Sequence, residues 1–230
     1  MSFSRVDRVL IVGANSSISR ALIEEIAPLN PRITLASRSP VNDLKFEMEN
    51  IIQFSLEDWK SVELFFEKIE DESFDFIYIL TGAVSGLNIS TSTLNEVQEY
   101  YRTYASSLNY LIGRLQGHLA DFATMIFVSS RAAHRQSYDA HYSAVKASTE
   151  AFIKSIVRIF PTQRLLILAP SLIEDTRMYQ DMTPENILAH RKRTANQLLS
   201  LGEVVASILA MSNDSKTYLS GSTTCIGRDW

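Results

Sequence analysis

Short apolar segments alternate with longer amphipathic segments along the whole chain, and this alternation constrains the fold more than any other feature. Continuous apolar strands separated by helices predict a parallel sheet that is covered on both faces. We therefore expect one α/β domain over 1–230, with a Rossmann-like, doubly wound parallel sheet of about seven strands and helices on both faces. The predicted strands are 8–13, 32–37, 50–56, 74–80, 124–129, 164–169 and 217–226. The apolar spacing predicts helices over 18–27, 58–69, 93–119, 138–160, 183–199 and 203–211.

The composition is in the ordinary range for a soluble protein and argues against several classes of function. Of 230 residues, 46% are apolar and 21% are charged, with a formal net charge of -4, whereas nucleic-acid binding needs excess Lys and Arg. No apolar run reaches the roughly 20 residues of a membrane span, and no secretory leader precedes the first strand. Cys225 is the only cysteine, which fits a reducing compartment. We expect a cytoplasmic protein without nucleic-acid or membrane partners, with Cys225 buried in the last strand.

The first strand leads into a polar turn, GANSSISR over 13–20, which opens the next helix. A helix that begins here would present unpaired N–H groups and a positive dipole end to a pyrophosphate. Gly13 allows the tight turn that such a site needs. An ordinary helix start with polar capping residues explains the same segment without a ligand, so the turn alone is not specific.

The same turn resembles that of the short-chain dehydrogenases/reductases, whose pattern is Gly-x-x-x-Gly-x-Gly. Gly13 matches the first glycine, whereas Ser17 and Ser19 take the second and third positions. Each serine adds a Cβ where glycine lets the backbone approach phosphates or lets helix and strand pack closely. We expect weakened rather than abolished dinucleotide binding. The resemblance implies that the phosphate turn is formed by Gly13, Asn15, Ser16, Ser17 and Ile18.

The residues after the second strand favour a phosphorylated dinucleotide. No Asp or Glu follows that strand until Asp43, so the carboxylate that accepts a hydrogen bond from the ribose of NAD is missing. Arg38 offers planar donors and a permanent charge to a 2′-phosphate, although a solvated loop arginine is the alternative. In the resembling family an arginine here goes with NADP(H). There an Asp approaches the adenine, and Ser55 and Leu56 occupy its place.

The strongest signal for chemistry is a serine pair that ends the fifth strand, followed by Tyr142 and Lys146 on one helical face. A free tyrosine, with a pKa of about 10, is a poor base at neutral pH, and a nearby cation lowers that pKa. Chance places Tyr and Lys at this spacing in many helices. In the resembling family, however, a Ser, Tyr and Lys in this order are catalytic. This implies Ser130 as substrate-orienting group, Tyr142 as acid/base and Lys146 as its activator, which also holds the nicotinamide ribose. If the match to the family is off by one residue, Ser129 takes the role assigned to Ser130.

The resemblance covers essentially the whole chain. Thr81, Gly82 and Ala83 stand where the family has Asn-Asn-Ala-Gly. The family often has an Asn in the long helix before the fifth strand, as part of a proton relay, where this sequence has Tyr104. Asn109 is expected to face elsewhere. The family's Pro-Gly segment, which meets the nicotinamide, is matched by Pro170, Ser171, Ile173 and Thr176.

Two basic segments, 131–141 and 177–193, flank the expected active-site mouth. They could recognise an anionic substrate, but solvated loop charge is the simpler interpretation. The four histidines have no metal-ligand spacing, and no acidic partner can be assigned to His134 or His141.

These observations predict an NADP(H)-dependent oxidoreductase that acts on a carbonyl or a secondary alcohol of a small molecule. By resemblance to the family, we expect a homodimer or homotetramer. The alternative is a non-catalytic family member that binds a dinucleotide or a partner protein. Ser17, Ser19 and the missing relay Asn favour this alternative, whereas Ser130, Tyr142 and Lys146 together oppose it.

Overall fold

The computed structural model describes residues 7–135 and 137–228. Across these residues a single all-parallel sheet has the strand order β3-β2-β1-β4-β5-β6-β7. The predicted doubly wound α/β fold is thereby confirmed. The strands are β1 (Arg8–Val12), β2 (Arg32–Ser37), β3 (Asn50–Gln53), β4 (Phe74–Ile79), β5 (Leu119–Val128), β6 (Arg164–Pro170) and β7 (Thr223–Ile226).

Helices connect the strands and cover both faces of the sheet. They are α1 (Ser17–Ile26), α2 (Trp59–Lys68), α3 (Leu94–Tyr101), α4 (Leu108–Arg114), α5 (Ala140–Ile156), α6 (Arg177–Gln180), α7 (Pro184–Arg193) and α8 (Leu201–Asn213). A π-helical segment, Arg102–Ser107, joins α3 to α4. Short 3₁₀ turns are formed by Ala27–Leu29, Leu115–His118, Arg131–His134 and Val157–Ile159.

The apolar strands are buried on both sides, which explains their continuous apolar sequence. Val9 and Ile11 of β1 pack in the core with residues of α1 and α8. Leu10 and Val12 alternate with them and pack in the opposite core with residues of α2, α4 and α5. This parallel arrangement brings the carboxyl ends of the strands to one edge, where ligands bind in folds of this type.

Several predicted element boundaries are wrong. The third strand ends at Gln53 rather than at 56, because the chain turns there and the apolar residues that follow pack in the core beside α2. The helix predicted over 93–119 is interrupted by the π segment, and Leu119 instead begins β5, where it pairs with Phe74. The helix predicted over 183–199 ends at Arg193.

The last strand is shorter than predicted and lies at an edge of the sheet. β7 pairs with β6 alone over Thr223–Ile226, whereas the prediction began at 217. Cys225 lies in this strand, as predicted, but it is exposed rather than buried. An edge strand leaves one side without a neighbouring strand, and this accounts for the wrong prediction.

In the described part of the chain, no helix combines the length and the apolar character that crossing a membrane requires.

Candidate active site

A cavity of about 270 Å³ opens at the carboxyl ends of β1, β2 and β4. Its volume is close to the lower end of the roughly 300–1,000 Å³ range of small-molecule pockets. Residues from four strand ends and from the π segment contribute to its walls. Nine residues proposed from the sequence line it: Gly13, Asn15, Ser16, Arg38, Ser55, Leu56, Thr81, Gly82 and Ala83.

Gly13 is required by the geometry of the first turn. Its φ is +89°, a conformation that other residues rarely adopt. A Cβ at this position would lie 2.9 Å from both the carbonyl carbon and the oxygen of Leu80. The Gly13 N–H donates to the Ala36 carbonyl at 2.8 Å. The turn is therefore held tightly between β2 and β4, which leaves the start of α1 facing the cavity.

Ser19 is accommodated inside this turn. The residue is fully buried, and its hydroxyl donates to the Gly13 carbonyl at 2.8 Å. Its N–H donates to the hydroxyl of Ser16, the N-cap of α1, at 3.1 Å. The Ser19 side chain therefore fits within the turn, because its hydroxyl forms part of the turn's own hydrogen bonding.

Replacing Ser19 by Ala is expected to lower the free energy of unfolding by about 1 kcal/mol, because the Gly13 carbonyl loses a buried partner. Thermal unfolding should show a fall in Tm of about 2–4 °C. Ser17→Ala is the matched control, since Ser17 makes none of these bonds. Equal Tm values for the two variants would contradict the role assigned to Ser19.

Arg38 reaches the cavity, and there it pairs with an acid that the sequence analysis missed. Its Nη1 lies 2.7 Å from Oε1 of Glu57, and both side chains are more than half exposed. Both residues line the cavity. Tyr104 also reaches this region: burial raises the pKa of its phenol, whereas the positive charge of Arg38 lowers it. A phosphate at Arg38 would therefore compete with Glu57 for the guanidinium.

Tyr142 and Lys146 lie one turn apart on the buried face of α5. Burial raises the pKa of Tyr142 to about 12, a hydrogen bond with Ser130 lowers it, and the negative charge of Asp139 raises it. The phenol is therefore protonated at neutral pH. This differs from the expected lowering by Lys146, whose ammonium lies 5.9 Å from the centre of the Tyr142 ring.

The Lys146 ammonium is held by backbone carbonyls. Nζ donates to the carbonyl of Val128 at 2.9 Å and to that of Thr81 at 3.3 Å. It also lies 4.7 Å from the centre of the Phe127 ring. Burial lowers the pKa of Lys146 to about 8, and the carboxylate of Glu150 opposes this shift. Lys146 is thus fixed at the ends of β4 and β5, beside Gly82, where an added Cβ would lie 2.8 Å from Nζ.

A crevice that holds the catalytic candidates Tyr142 and Lys146 adjoins the cavity and is too narrow to admit a water molecule. Thr81, Gly82, Ala83 and Tyr104 line both spaces. The rest of the crevice wall is formed by Tyr100, Leu108, Tyr142, Val145 and Lys146. A ligand bound in the cavity would reach the groups proposed for proton transfer if the side chains that line the crevice moved apart.

Asp139 ties the loop after β4 to the catalytic helix. Its carboxylate caps α5 by accepting from the N–H of Tyr142 at 2.8 Å. It also accepts from the N–H and the hydroxyl of Ser85, both at 2.6 Å, and from the N–H of Gly86 at 3.3 Å. Asp139 was not predicted to belong to the site, although an Asp just before an apolar helix is a recognisable N-cap signal.

Several predicted residues do not line the cavity or the crevice. Ser17 and Ile18 begin α1, and Pro170 ends β6. Thr176 caps α6, donating to the Ile173 carbonyl at 3.0 Å. Its neighbour Arg177, which the sequence placed in a basic segment near the mouth but not at the nucleotide, does line the cavity. Four further residues discussed from the sequence also lie outside these walls: Ser171 and Ile173, which are buried, Asn109, and the catalytic candidate Ser130.

Three of the basic residues near the mouth have partners within the chain. Arg177 lies 3.6 Å from a carboxylate oxygen of Asp181, and Arg191 lies 2.7 Å from that of Glu174. The guanidinium of Arg193 lies 4.9 Å from the centre of the Tyr138 ring. These pairs favour a structural role over recognition of an anionic substrate. Within residues 7–135 and 137–228, no cluster of three or more His, Cys, Asp or Glu could hold a metal ion.

Neither a family model nor a curated protein matches this sequence. Solved structures match its fold over nearly the whole chain. A short chain dehydrogenase family protein from Francisella tularensis subsp. tularensis SCHU S4 has a TM-score of 0.84 and 16% identity, covering 96% of this chain and 97% of that one. A short chain dehydrogenase from Burkholderia cenocepacia J2315, in complex with NADP, has a TM-score of 0.84 and 16% identity, covering 99% and 98%.

A 4-hydroxyisoleucine dehydrogenase complexed with NADH also has a TM-score of 0.84 at 16% identity, covering 97% of this chain and 98% of that one. The chain therefore has the fold of the short-chain dehydrogenases/reductases, as its sequence predicted.

Proposed function

We propose that this protein is an NADP(H)-dependent oxidoreductase that reduces a carbonyl, or oxidises a secondary alcohol, of a small molecule. One observation carries the proposal. The cavity that holds the candidate nucleotide residues shares four wall residues with the crevice that holds Tyr142 and Lys146. Similar folds solved with NADP, NADPH and NADH support a nicotinamide dinucleotide as the ligand.

The residues at the cavity fit a phosphorylated dinucleotide. The turn at Gly13 has no space for a side chain, and it directs the N-terminus of α1 toward the cavity. Arg38 provides the cation for a 2′-phosphate. Toward the other end of the ligand, we assign contacts to Tyr142, Lys146, Pro170, Ser171, Ile173 and Thr176. The bound nicotinamide would supply or accept the hydride.

The protein's own groups supply the proton. Tyr142 holds it on Oη, because burial keeps the phenol neutral. Ser130 shares a hydrogen bond with that phenol and would orient the substrate oxygen beside it. Lys146, fixed by two carbonyls, would hold the ribose and place positive charge near the phenol as the proton leaves. A neutral phenol at neutral pH favours the direction in which Tyr142 donates, which is carbonyl reduction.

Isothermal titration with NADPH and NADH tests the nucleotide assignment. NADPH is expected to bind more tightly, and Arg38→Ala should weaken NADPH binding by about 10- to 100-fold while leaving NADH almost unchanged. Glu57→Gln is the matched control, because it frees Arg38 from its ion pair and should strengthen NADPH binding. Absence of binding by either nucleotide would overturn the proposal.

A second candidate function is a non-catalytic dinucleotide-binding protein or scaffold. Tyr104 favours this second function, because its bulky phenol occupies the place of the family's relay Asn and lines the crevice that contains Tyr142. The two functions differ in what Tyr142 does, and the activity of a Tyr142→Phe variant separates them.

We also infer that the protein acts in the cytoplasm as a single catalytic domain in a homodimer or homotetramer. Its one cysteine fits a reducing compartment. Light scattering after gel filtration would give a mass of two or four chains, and a monomeric mass would contradict the inference.

A further inference from the structure

Glu150 is a buried carboxylate that the proposed function does not use. Only 2% of its surface is exposed. Together with Tyr142 and Lys146 it forms a row of positions four residues apart on α5, so the three side chains share the buried face of that helix. A charge is buried in this way only when it is paired and hydrogen-bonded.

The Glu150 carboxylate joins four parts of the fold. Oε1 accepts from the hydroxyl of Ser129 at the end of β5 and lies 3.0 Å from Nε2 of His134. Oε2 accepts from the Thr223 hydroxyl of β7 at 3.2 Å and from Nζ of Lys154 at 3.4 Å. His134 therefore has the acidic partner that could not be assigned from the sequence. These contacts fix the chain on both sides of Ser130.

Glu150 also provides a negative charge close to Lys146. The other titratable groups of that crevice are Tyr100, Tyr104 and Tyr142, and burial raises the pKa of each phenol, so the three are neutral at neutral pH. The carboxylate of Glu150 raises the pKa of Lys146, against the stronger lowering by burial.

We propose that Glu150 is a positioning residue of the active site, which fixes the Ser129–Ser130 end of β5 and holds a buried negative charge one helical turn from Lys146. It acts through Ser130 and Lys146 and does not contact the reacting atoms. The effect on turnover rests on the proposed function, whereas the effect on Lys146 does not.

Titration of Lys146 by NMR tests the charge directly. In protein labelled with ¹³C at lysine Cε, the Lys146 signal is assigned by its loss in Lys146→Met. Glu150→Gln is expected to move the Lys146 titration midpoint down by on the order of one pH unit. Thr223→Val is the matched control, because it removes a neutral hydrogen bond to the same carboxylate and should leave the midpoint unchanged. An unshifted midpoint in Glu150→Gln would overturn the proposal.

The activity profile gives an independent readout. Reductive kcat/KM with NADPH should decline above pH about 8, where Lys146 loses its proton, and in Glu150→Gln this decline should begin at lower pH. Should Glu150→Gln fail to fold, Glu150→Asp keeps the charge and should keep the midpoint close to that of the unmodified protein. A Lys146 midpoint in Glu150→Asp that lies about one pH unit below that of the unmodified protein would contradict the proposal.

The two proposals can fail separately. Absence of dinucleotide binding rejects the proposed function but still allows the Lys146 titration to be measured. Normal NADPH binding and turnover with an unshifted Lys146 midpoint in Glu150→Gln rejects the role of Glu150 alone.

Discussion

Tyr142→Phe is expected to lower kcat for carbonyl reduction by about 100- to 10,000-fold, the usual contribution of a positioned acid. The substitution removes one oxygen and the hydrogen bond with Ser130, while the ring that packs in the crevice remains. NADPH affinity, measured by titration, should therefore change little. Single-turnover kinetics with a panel of small carbonyl compounds would measure the loss.

Tyr100→Phe is the matched control for this experiment. Tyr100 lines the same crevice, but its hydroxyl donates to the carbonyl of Ala83 at 2.7 Å and has no proposed part in proton transfer. It should therefore keep most of the activity. Full activity in Tyr142→Phe would reject the Ser-Tyr-Lys mechanism. An unchanged biological effect of that variant in cells would favour the non-catalytic alternative.

Gly13→Ala is expected to have the largest effect on stability. The left-handed backbone costs a residue with a Cβ about 1–2 kcal/mol, and crowding in a packed region costs about 1–3 kcal/mol more. The crowded atoms are the carbonyl group of Leu80 and the nitrogen of Thr81, backbone atoms in or beside β4 that have little freedom to move. Thermal and urea unfolding would measure the sum, and NADPH binding should fall with it.

Gly86→Ala separates the two contributions. Gly86 also has a positive φ, +63°, but a Cβ there would meet no atom within 4 Å. It should lose only the backbone contribution, so its Tm should lie at least about 3 °C above that of Gly13→Ala. Similar Tm values for both variants would show that the turn at Gly13 can relax, against the geometry described for the cavity.

The sequence predicted the sheet and the place of the site because both depend on local patterns. Apolar strand segments of the right length, each followed by a polar residue or glycine, were enough to place Gly13, Arg38 and Thr81 at one edge. The cavity there is lined by all three. The catalytic candidates were predicted from local patterns as well, because Ser130 follows a strand and Tyr142 and Lys146 share one helix.

What the sequence did not predict depends on contacts between distant segments. Glu57 pairs with Arg38 across two strand ends, and Glu150 joins β5 to β7. Neither pairing leaves a periodic signal in the chain. The raised pKa of Tyr142 follows from burial, which a four-residue spacing does not reveal. Cys225 was placed in the correct strand, but its exposure depends on the position of that strand in the sheet.

The π segment has a consequence for how the crevice wall is aligned. Four residues of an α-helix rotate slightly more than one turn, because a turn holds 3.6 residues. In a π segment, with bonds from i to i+5, a turn is wider and four residues rotate less than one turn. The stretch from Tyr100 to Leu108 includes both geometries, so the extra rotation of its α-helical residues is offset by the smaller rotation of its π-helical residues. Tyr100, Tyr104 and Leu108 therefore all face the crevice.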